Sequence, residues 1–369
     1  MTTSLASALR CVEDYPLGSV STSLEQGVLA SEASLAALPP SASIAQALAS
    51  RDAVLIEAPA EVALARIQAE ALAPALIYVD PPYASHRDYV FAQRHPGTGE
   101  VVERVAFSDR WEDGELGAYV DSLREVLERI HASLDDEGAF LLHVDPRGAP
   151  YLAIECDRIF GLGERLSKKN APGFRNELIW SYGLGGSSPR SWPKKHDNIL
   201  WYSKGSGWYF DPPMTPARSQ RMKGMLKKQP DVIEIATINN MAKDRTGYPT
   251  QKPLELLTLL VGAHTRAGEL VVDVYGGSGT TALAAYRSGR KALSSDRSPD
   301  AVAVARARLL DAGASVAVFR PQLPAAAPLR DAAIFEALGD LVDGVFVASP
   351  GGAWRLVRDV HGAEGVVPR

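Results

Sequence analysis

Residues Ile77 to Tyr83, IYVDPPY, limit the fold more than any other stretch of the chain. An apolar run of strand length stops there at an acid, two prolines and an aromatic. Consecutive prolines fix φ twice and supply no backbone N–H, so the segment must leave a sheet as a stiff loop. Asp80 is therefore expected at the carboxyl end of a buried strand, the edge at which open α/β sheets bind ligands. Taken alone, such a turn signal also fits a plain strand end, and its neighbours decide between the two.

Those neighbours alternate. AVLIEA forms a strand after Arg51, an amphipathic helix runs from Glu61 to Ala71, and the strand ending at Asp80 follows. A polar loop extends to about Glu115. Tyr119, Leu123, Val126, Leu127, Ile130 and Leu134 then recur at helical spacing, before a strand over Ala139–Asp145 and a helix over Pro150–Phe160. After a helix from Leu254, the stretch ELVVDVYGGSGTT (Glu269–Thr281) reads as a strand ending at Asp273, a glycine loop and an alanine-rich helix. KALSSDRSP adds a strand ending in Asp296, where such folds set an acid on ribose hydroxyls, and Val302–Leu310 is one more helix. Strand and helix in turn predict a Rossmann-like α/β domain, a mostly parallel sheet with helices on both faces. Residues 1–48 are rich in Ala, Ser and Leu, with Pro39-Pro40 between two short helical stretches, and carry no legible motif. The Ala/Pro-rich end, with a hairpin around Ser349–Gly352, carries none either.

Composition removes several classes. No run of about 18 apolar residues and no secretory signal appears in the 369 residues, so a cytoplasmic chain with no membrane partner is expected. Cys11 and Cys156, far apart and without CxxC spacing, are expected as buried thiols, with no metal site. The net charge of −5 hides a local reversal: Arg165 to Lys228 holds 13 Lys or Arg against three acids, interleaved with Trp180, Tyr182, Trp192, Trp201, Tyr202, Trp208 and Tyr209. This suits a surface that meets a polyanion as well as a solvated, loop-rich face.

Gly276, Gly277 and Gly279 are spaced more tightly than G-x-G-x-x-G and lack the Lys-Ser/Thr of a P-loop, so a nucleoside without phosphates is the natural guest. S-adenosylmethionine has that character. Asp80 and the Pro81 carbonyl can then accept both N–H bonds of an exocyclic amine and aim its lone pair at the methyl group, while Tyr83 offers a face for a base rotated out of a duplex. Of the other polar residues, His196-Asp197 fits a structural role better than an acid–base pair. His143 and Asp145 fit a cap on the following helix.

LIYVDPPY, FSDRW (Phe107–Trp111), NELIWSYG (Asn176–Gly183), KKHDNILWYSKG (Lys194–Gly205), GYPTQKP (Gly247–Pro253) and DVYGGSGTT together resemble the amino-group DNA methyltransferases of the N6-adenine/N4-cytosine type. The order, with DPPY before the basic insert and the cofactor loop, is that of the β-class permutation, and the likeness covers about residues 50–310. It implies a methyltransferase domain in two parts, 49–164 and 245–315, around a target-recognition insert at 165–244, with extensions at 1–48 and 316–369. It makes Asp80, Pro81, Pro82 and Tyr83 catalytic, and puts Thr250, Gln251 and Lys252 near the methionine carboxylate. Asp273, Tyr275, Gly276, Gly277, Gly279 and Thr280 would cradle the methionine, and Asp296 would hold the ribose. Arg190, Lys194, Lys195, Lys204, Arg218 and Lys223 would face duplex DNA.

Two departures stand out. Val274-Tyr275 replaces the usual Pro-Phe and keeps an aromatic. Ala58 stands where the family tends to have an acid facing the cofactor adenine, which makes Glu57 the candidate substitute. The acid at position 80 points to adenine N6, with cytosine N4 and a catalytically degenerate DNA-binding module as alternatives. A nicotinamide oxidoreductase is disfavoured for want of a pyrophosphate fingerprint. A restriction endonuclease partner and a homodimer stay open.

Overall fold

The computed structural model describes residues 9–15, 42–83, 85, 87–94, 101–109, 116–168, 170–183, 189–217, 221, 223–238, 244–321, 346–349, 352–358 and 364–368. Two compact units divide the chain, Met1–Pro321 and Gln322–Arg369. In chain order the first contains β1 (Leu9–Tyr15), α1 (Ile44–Ser50), β2 (Ala53–Glu57), α2 (Ala60–Ala69), β3 (Leu76–Val79), β4 (Arg87–Arg94), β5 (Val101–Asp109) and α3 (Leu116–Ser133). There follow β6 (Ala139–Val144), α4 (Ala149–Phe160), β7 (Gly173–Ser181), β8 (His196–Ser203), β9 (Met214–Pro216), β10 (Leu226–Lys228) and β11 (Val232–Glu234). The last elements are α5 (Leu254–His264), β12 (Leu270–Asp273), α6 (Thr280–Arg287), β13 (Lys291–Asp296), α7 (Pro299–Asp311) and β14 (Val316–Pro321).

Ten strands form one sheet in the order β1-β14-β2-β13-β12-β3-β6-β8-β7-β11. The six from β14 to β6 are parallel; β1 joins one edge antiparallel, and β8 joins β6 antiparallel on the other side. From β3 the chain steps outward to β6, and from β12 it steps the opposite way to β13. The order therefore reverses between β12 and β3, and the helices diverge there to leave a crevice beyond the carboxyl ends of the strands.

Buried side chains alternate across the sheet, as a period of two requires. Ile77, Val79, Phe140 and Leu142 pack on one face with residues of α2, α3 and α4, while Leu76, Tyr78, Leu141 and Ile199 pack on the other with residues of α5, α6 and α7. Each fully buried aliphatic side chain here contributes about 1.5–3 kcal/mol by leaving water. Strands buried on both faces explain why β3 and β6 read as unbroken apolar runs.

The chain departs from the sequence expectation at several places, and residues 316–321, expected in the C-terminal extension, form β14 inside the main sheet. Residues 9–15, in the N-terminal extension that carried no legible motif, are an edge strand in which Cys11 reaches the core while Val12 stays exposed; of the two short helical stretches expected around Pro39-Pro40, the second is α1 and the first lies outside the described residues. The loop expected before Glu115 contains the β4–β5 hairpin. And β7, β8 and β11, inside the expected insert, belong to the main sheet. In the second unit, β15 (Phe346–Ser349), β16 (Gly352–Arg358) and β17 (Glu364–Pro368) form an antiparallel meander whose first hairpin pairs Ser349 with Gly352, as the turn residues there predict.

Candidate active site

At the strand reversal lies a cavity of about 350 Å³ walled by Asp80 to Tyr83 after β3, Asp273 to Ser278 after β12, Asp296 after β13, and the Tyr248–Lys252 loop. The double proline forces the chain off the sheet directly after Asp80, which leaves that carboxylate half-buried at the crevice floor. The Tyr83 hydroxyl donates to Asp80 Oδ1, and Lys252 Nζ stands 2.7 Å from Oδ2 and 3.1 Å from the Tyr83 oxygen. Burial, and then the Asp80 charge, hold the Tyr83 phenol well above its ordinary value, so it stays a neutral donor. From β5, Asp109 Oδ2 accepts the backbone N–H of Tyr83 (3.1 Å) and Ser85 (2.8 Å), pinning the loop after Asp80 from outside. Lys252 is delivered by a loop in which Thr250 takes φ 59°, a left-handed conformation costly for a β-branched residue and found where a site over-determines the backbone.

The glycine loop is tight for steric reasons. Gly279 has φ 73°, and a Cβ there would lie 2.5 Å from that of Ala305 on α7. Asp273 Oδ1 accepts the Tyr275 N–H at 3.0 Å, and burial pushes this carboxyl up to about 7. Asp296 accepts N–H bonds from Gly277 (2.9 Å) and Ser298 (2.8 Å), one on each oxygen, which leaves acceptor capacity on both. Among the described residues of the wall are five acidic side chains, Glu61, Asp80, Asp109, Asp273 and Asp296, against Lys252 and Arg297, so that acids outnumber cations even with Asp273 protonated. That balance repels a pyrophosphate. It suits a positively charged nucleoside whose hydroxyls need acceptors, so the residues present fit S-adenosylmethionine in charge and hydrogen-bond character.

Most of the expected residues gather in this wall: Asp80, Pro81, Pro82, Tyr83, Thr250, Gln251, Lys252, Asp273, Tyr275, Gly276, Gly277, Thr280 and Asp296, with Gly279 shaping the turn. Glu57 does not. Its carboxylate is held by Arg320 Nε at 2.7 Å outside the cavity, and Glu61, four residues on in the first turn of α2, reaches the wall instead. Lys252 sits on the Asp80 carboxylate, a contact that spacing alone gave no sign of. Tyr78, Tyr119 and Ser122 are further wall residues; Tyr78 could have been found by the period of two, since it shares a strand face with Asp80.

The basic stretch divides. In the register of β8, His196 pairs with Ser181 and Asn198 with Val144, so the β7–β8 loop bearing Arg190, Lys194 and Lys195 rises at the same sheet edge as Asp80. Lys204 does not join them. It lies at the opposite edge, bonded to the Leu134 carbonyl at 2.6 Å and paired with Asp136 at 3.3 Å. Lys223 is exposed beside the β9–β10 hairpin, and Arg218 lies outside the described residues. The interleaved aromatics are mainly core: Trp180, Trp201 and Tyr202 are buried, whereas Trp192 is 92% exposed in the β7–β8 loop. Neither His143 nor Asp145 caps α4, whose N-cap is Gly148 with no side-chain cap bond: Asp145 accepts the N–H of Arg147 and Gly148 at 3.0 Å each in the turn before the helix, and His143 points into the sheet and meets Asp197. Both cysteines are buried free thiols.

A family model described as DNA methylase, of the N6/N4 type, matches residues 75–307. Over 250 residues the chain is 24% identical to the type II methyltransferase M.ScaI of Streptomyces caespitosus, a match covering 63% of this chain and 74% of that protein. It is 22% identical over 233 residues to the DNA adenine methyltransferase YhdJ of Escherichia coli K12, covering 58% and 69%. The solved complex of M1.HpyAVI with SAM aligns with a TM-score of 0.48 at 18% identity, over 70% of this chain and 98% of that one. No helix among the described residues is long and apolar enough to cross a membrane.

Proposed function

The chain belongs to the N6/N4 DNA methylase family, and from that footing we propose that it methylates adenine N6 within a specific sequence of duplex DNA, using S-adenosyl-L-methionine. The observation that carries this reading is the Asp80 carboxylate, held in one cavity with Asp273 and Asp296 at the strand reversal. The cofactor, when bound, supplies a methyl group activated by a sulfonium. Everything else falls to the chain. Asp296 offers acceptors to ribose hydroxyls, and Asp273 with the glycine loop receives the amino-acid end, beside Thr250 and Gln251.

The target amine has to find two acceptors near Asp80. Without DNA, Lys252 and the Tyr83 hydroxyl each engage one of its oxygens and leave acceptor capacity, so a base rotated out of the duplex can bond Asp80 beside them. With one N–H on Asp80 and the other on the Pro81 carbonyl, the nitrogen lone pair is drawn out of conjugation with the ring and aimed at the methyl group. The rate gain is then mainly orientation and preorganised charge. Tyr83 provides a stacking face, and the proton shed by the methylated nitrogen leaves through the open cavity.

The adenine assignment is supported by a carboxylate, not a hydroxyl, at position 80 and by likeness to YhdJ; the M.ScaI likeness supports a role beside a restriction endonuclease. Nucleoside analysis of DNA treated with the enzyme tests it. N6-methyladenine is expected, and Asp80→Ala should lower turnover by about 10²–10³ while duplex affinity, set by backbone contacts, barely moves. N4-methylcytosine alone would overturn the base assignment, and neither product, with DNA still bound, would favour a degenerate binding module.

A further inference from the structure

A polar row crosses an otherwise apolar face of the sheet. Tyr78 on β3, His143 on β6 and Asp197 on β8 are neighbours in strand order, and their same-face companions Leu76, Leu141 and Ile199 are all core. The Tyr78 hydroxyl is 2.8 Å from His143 Nδ1, and His143 Nε2 is 3.2 Å from Asp197 Oδ2. Tyr182, just past β7, adds a hydroxyl 3.4 Å from Asp197 Oδ1. His143 is wholly buried, and burial, then Lys252, hold its imidazole below the usual value and therefore neutral. One ring nitrogen thus carries the only proton. Since a carboxylate accepts and cannot donate, that proton sits on Nε2, and Nδ1 accepts from Tyr78.

Burying three polar side chains where leucine or valine would pack is expensive unless every group is paired, and this row pairs them across three strands. Its two ends differ in kind. Tyr78 is in the cavity wall two residues before Asp80, and the Tyr83 ring lies over His143, centroids 6.4 Å apart and 22° from parallel. Asp197 opens the strand that leads out of the basic β7–β8 loop, and Trp180 from β7 closes on His143 edge-on at 5.5 Å.

We infer that His143 is a positioning residue: through Tyr78 and the Tyr83 ring on one side and Asp197 on the other, it fixes the catalytic loop to the strand that carries the DNA-facing loop. A base delivered by that loop then meets Asp80 and Tyr83 in register. The inference rests on the function proposed above and adds to it a physical link between recognition and catalysis.

The test is single-turnover methyl transfer on a duplex bearing the motif that the wild-type enzyme methylates, alongside S-adenosylmethionine affinity, duplex affinity and thermal midpoint. Asp197→Ala and His143→Phe should slow transfer by about 10²-fold, the cost of misplacing reacting groups by roughly 1 Å, with both affinities within about twofold of wild type. Asp197→Asn, whose carbonyl still accepts the Nε2 proton, should recover most of the rate. The imidazole nitrogen shifts of His143 in the DNA-free enzyme should report the Nε2–H form, and Asp197→Ala should abolish it. Unchanged transfer in Asp197→Ala, or rate, affinities and midpoint falling together without recovery in the Asn variant, overturns the inference while the methyltransferase reading stands. A wild-type enzyme that transfers nothing to DNA overturns both.

Discussion

Asp273 shows how one buried acid ties stability to pH. It ends β12 with 3% of its surface exposed, and burial raises its carboxyl to about 7, against the lowering effect of its bonds to Thr281 and the Tyr275 N–H. Between the unfolded value near 4 and the folded one, the native state holds a proton that the unfolded chain has released. Stability from this group is therefore present at low pH and lost as pH rises from about 4 to 7. The penalty is of the order of a few kcal/mol. In thermal melts of the cofactor-free enzyme, Asp273→Asn should flatten the fall in midpoint between pH 5 and pH 8. A slope identical to wild type would mean the carboxyl is ionised throughout. A cationic cofactor beside this group would favour the carboxylate, so the melts are best read without it.

At the scale of elements, the basic stretch is two things at once. β7 and β8 complete the sheet, and their inward aromatics are core. Some of the stretch's cations are also spent locally: Arg165 pairs with Asp157 at 2.8 Å, Arg175 stacks over Trp208 at 4.1 Å, and Lys204 faces the wrong edge. The loop between the strands carries Arg190, Trp192, Lys194 and Lys195 at the sheet edge that bears Asp80. Reversing Lys194 and Lys195 to Glu should weaken every duplex alike and make the slope of log affinity against log salt shallower by about 0.9 per lost phosphate contact. Sequence preference should change less than affinity. An unchanged slope, measured by titration at several salt concentrations, would make the loop a solvated face.

At the scale of the molecule, an acidic cavity and a basic rim coexist in a chain whose net charge is −5. The total charge says nothing about either. The sheet, both helical layers and the whole cavity fall within Met1–Pro321, and Gln322–Arg369 is a separate unit. A chain ending at Pro321 should therefore unfold cooperatively, with S-adenosylmethionine affinity within about twofold of the full chain by calorimetry, because no described cavity residue is removed. A large loss of affinity would assign the second unit a part in the site.

What the sequence by itself determined is local and covalent. Pro81-Pro82 must end a strand at Asp80, closely spaced glycines must turn the chain after Asp273, and unbroken apolar runs must be buried on both faces. The α/β alternation, the strand-end acids and the glycine turn all follow from these. Only the tertiary structure decided which strands became neighbours, because pairing across more than a hundred residues depends on the total burial of the folded chain and leaves no periodic trace. The meeting of His143 with Asp197, the seating of Lys252 on Asp80, the loss of Glu57 to Arg320 and the inward turn of Trp180 and Trp201 are consequences of that pairing.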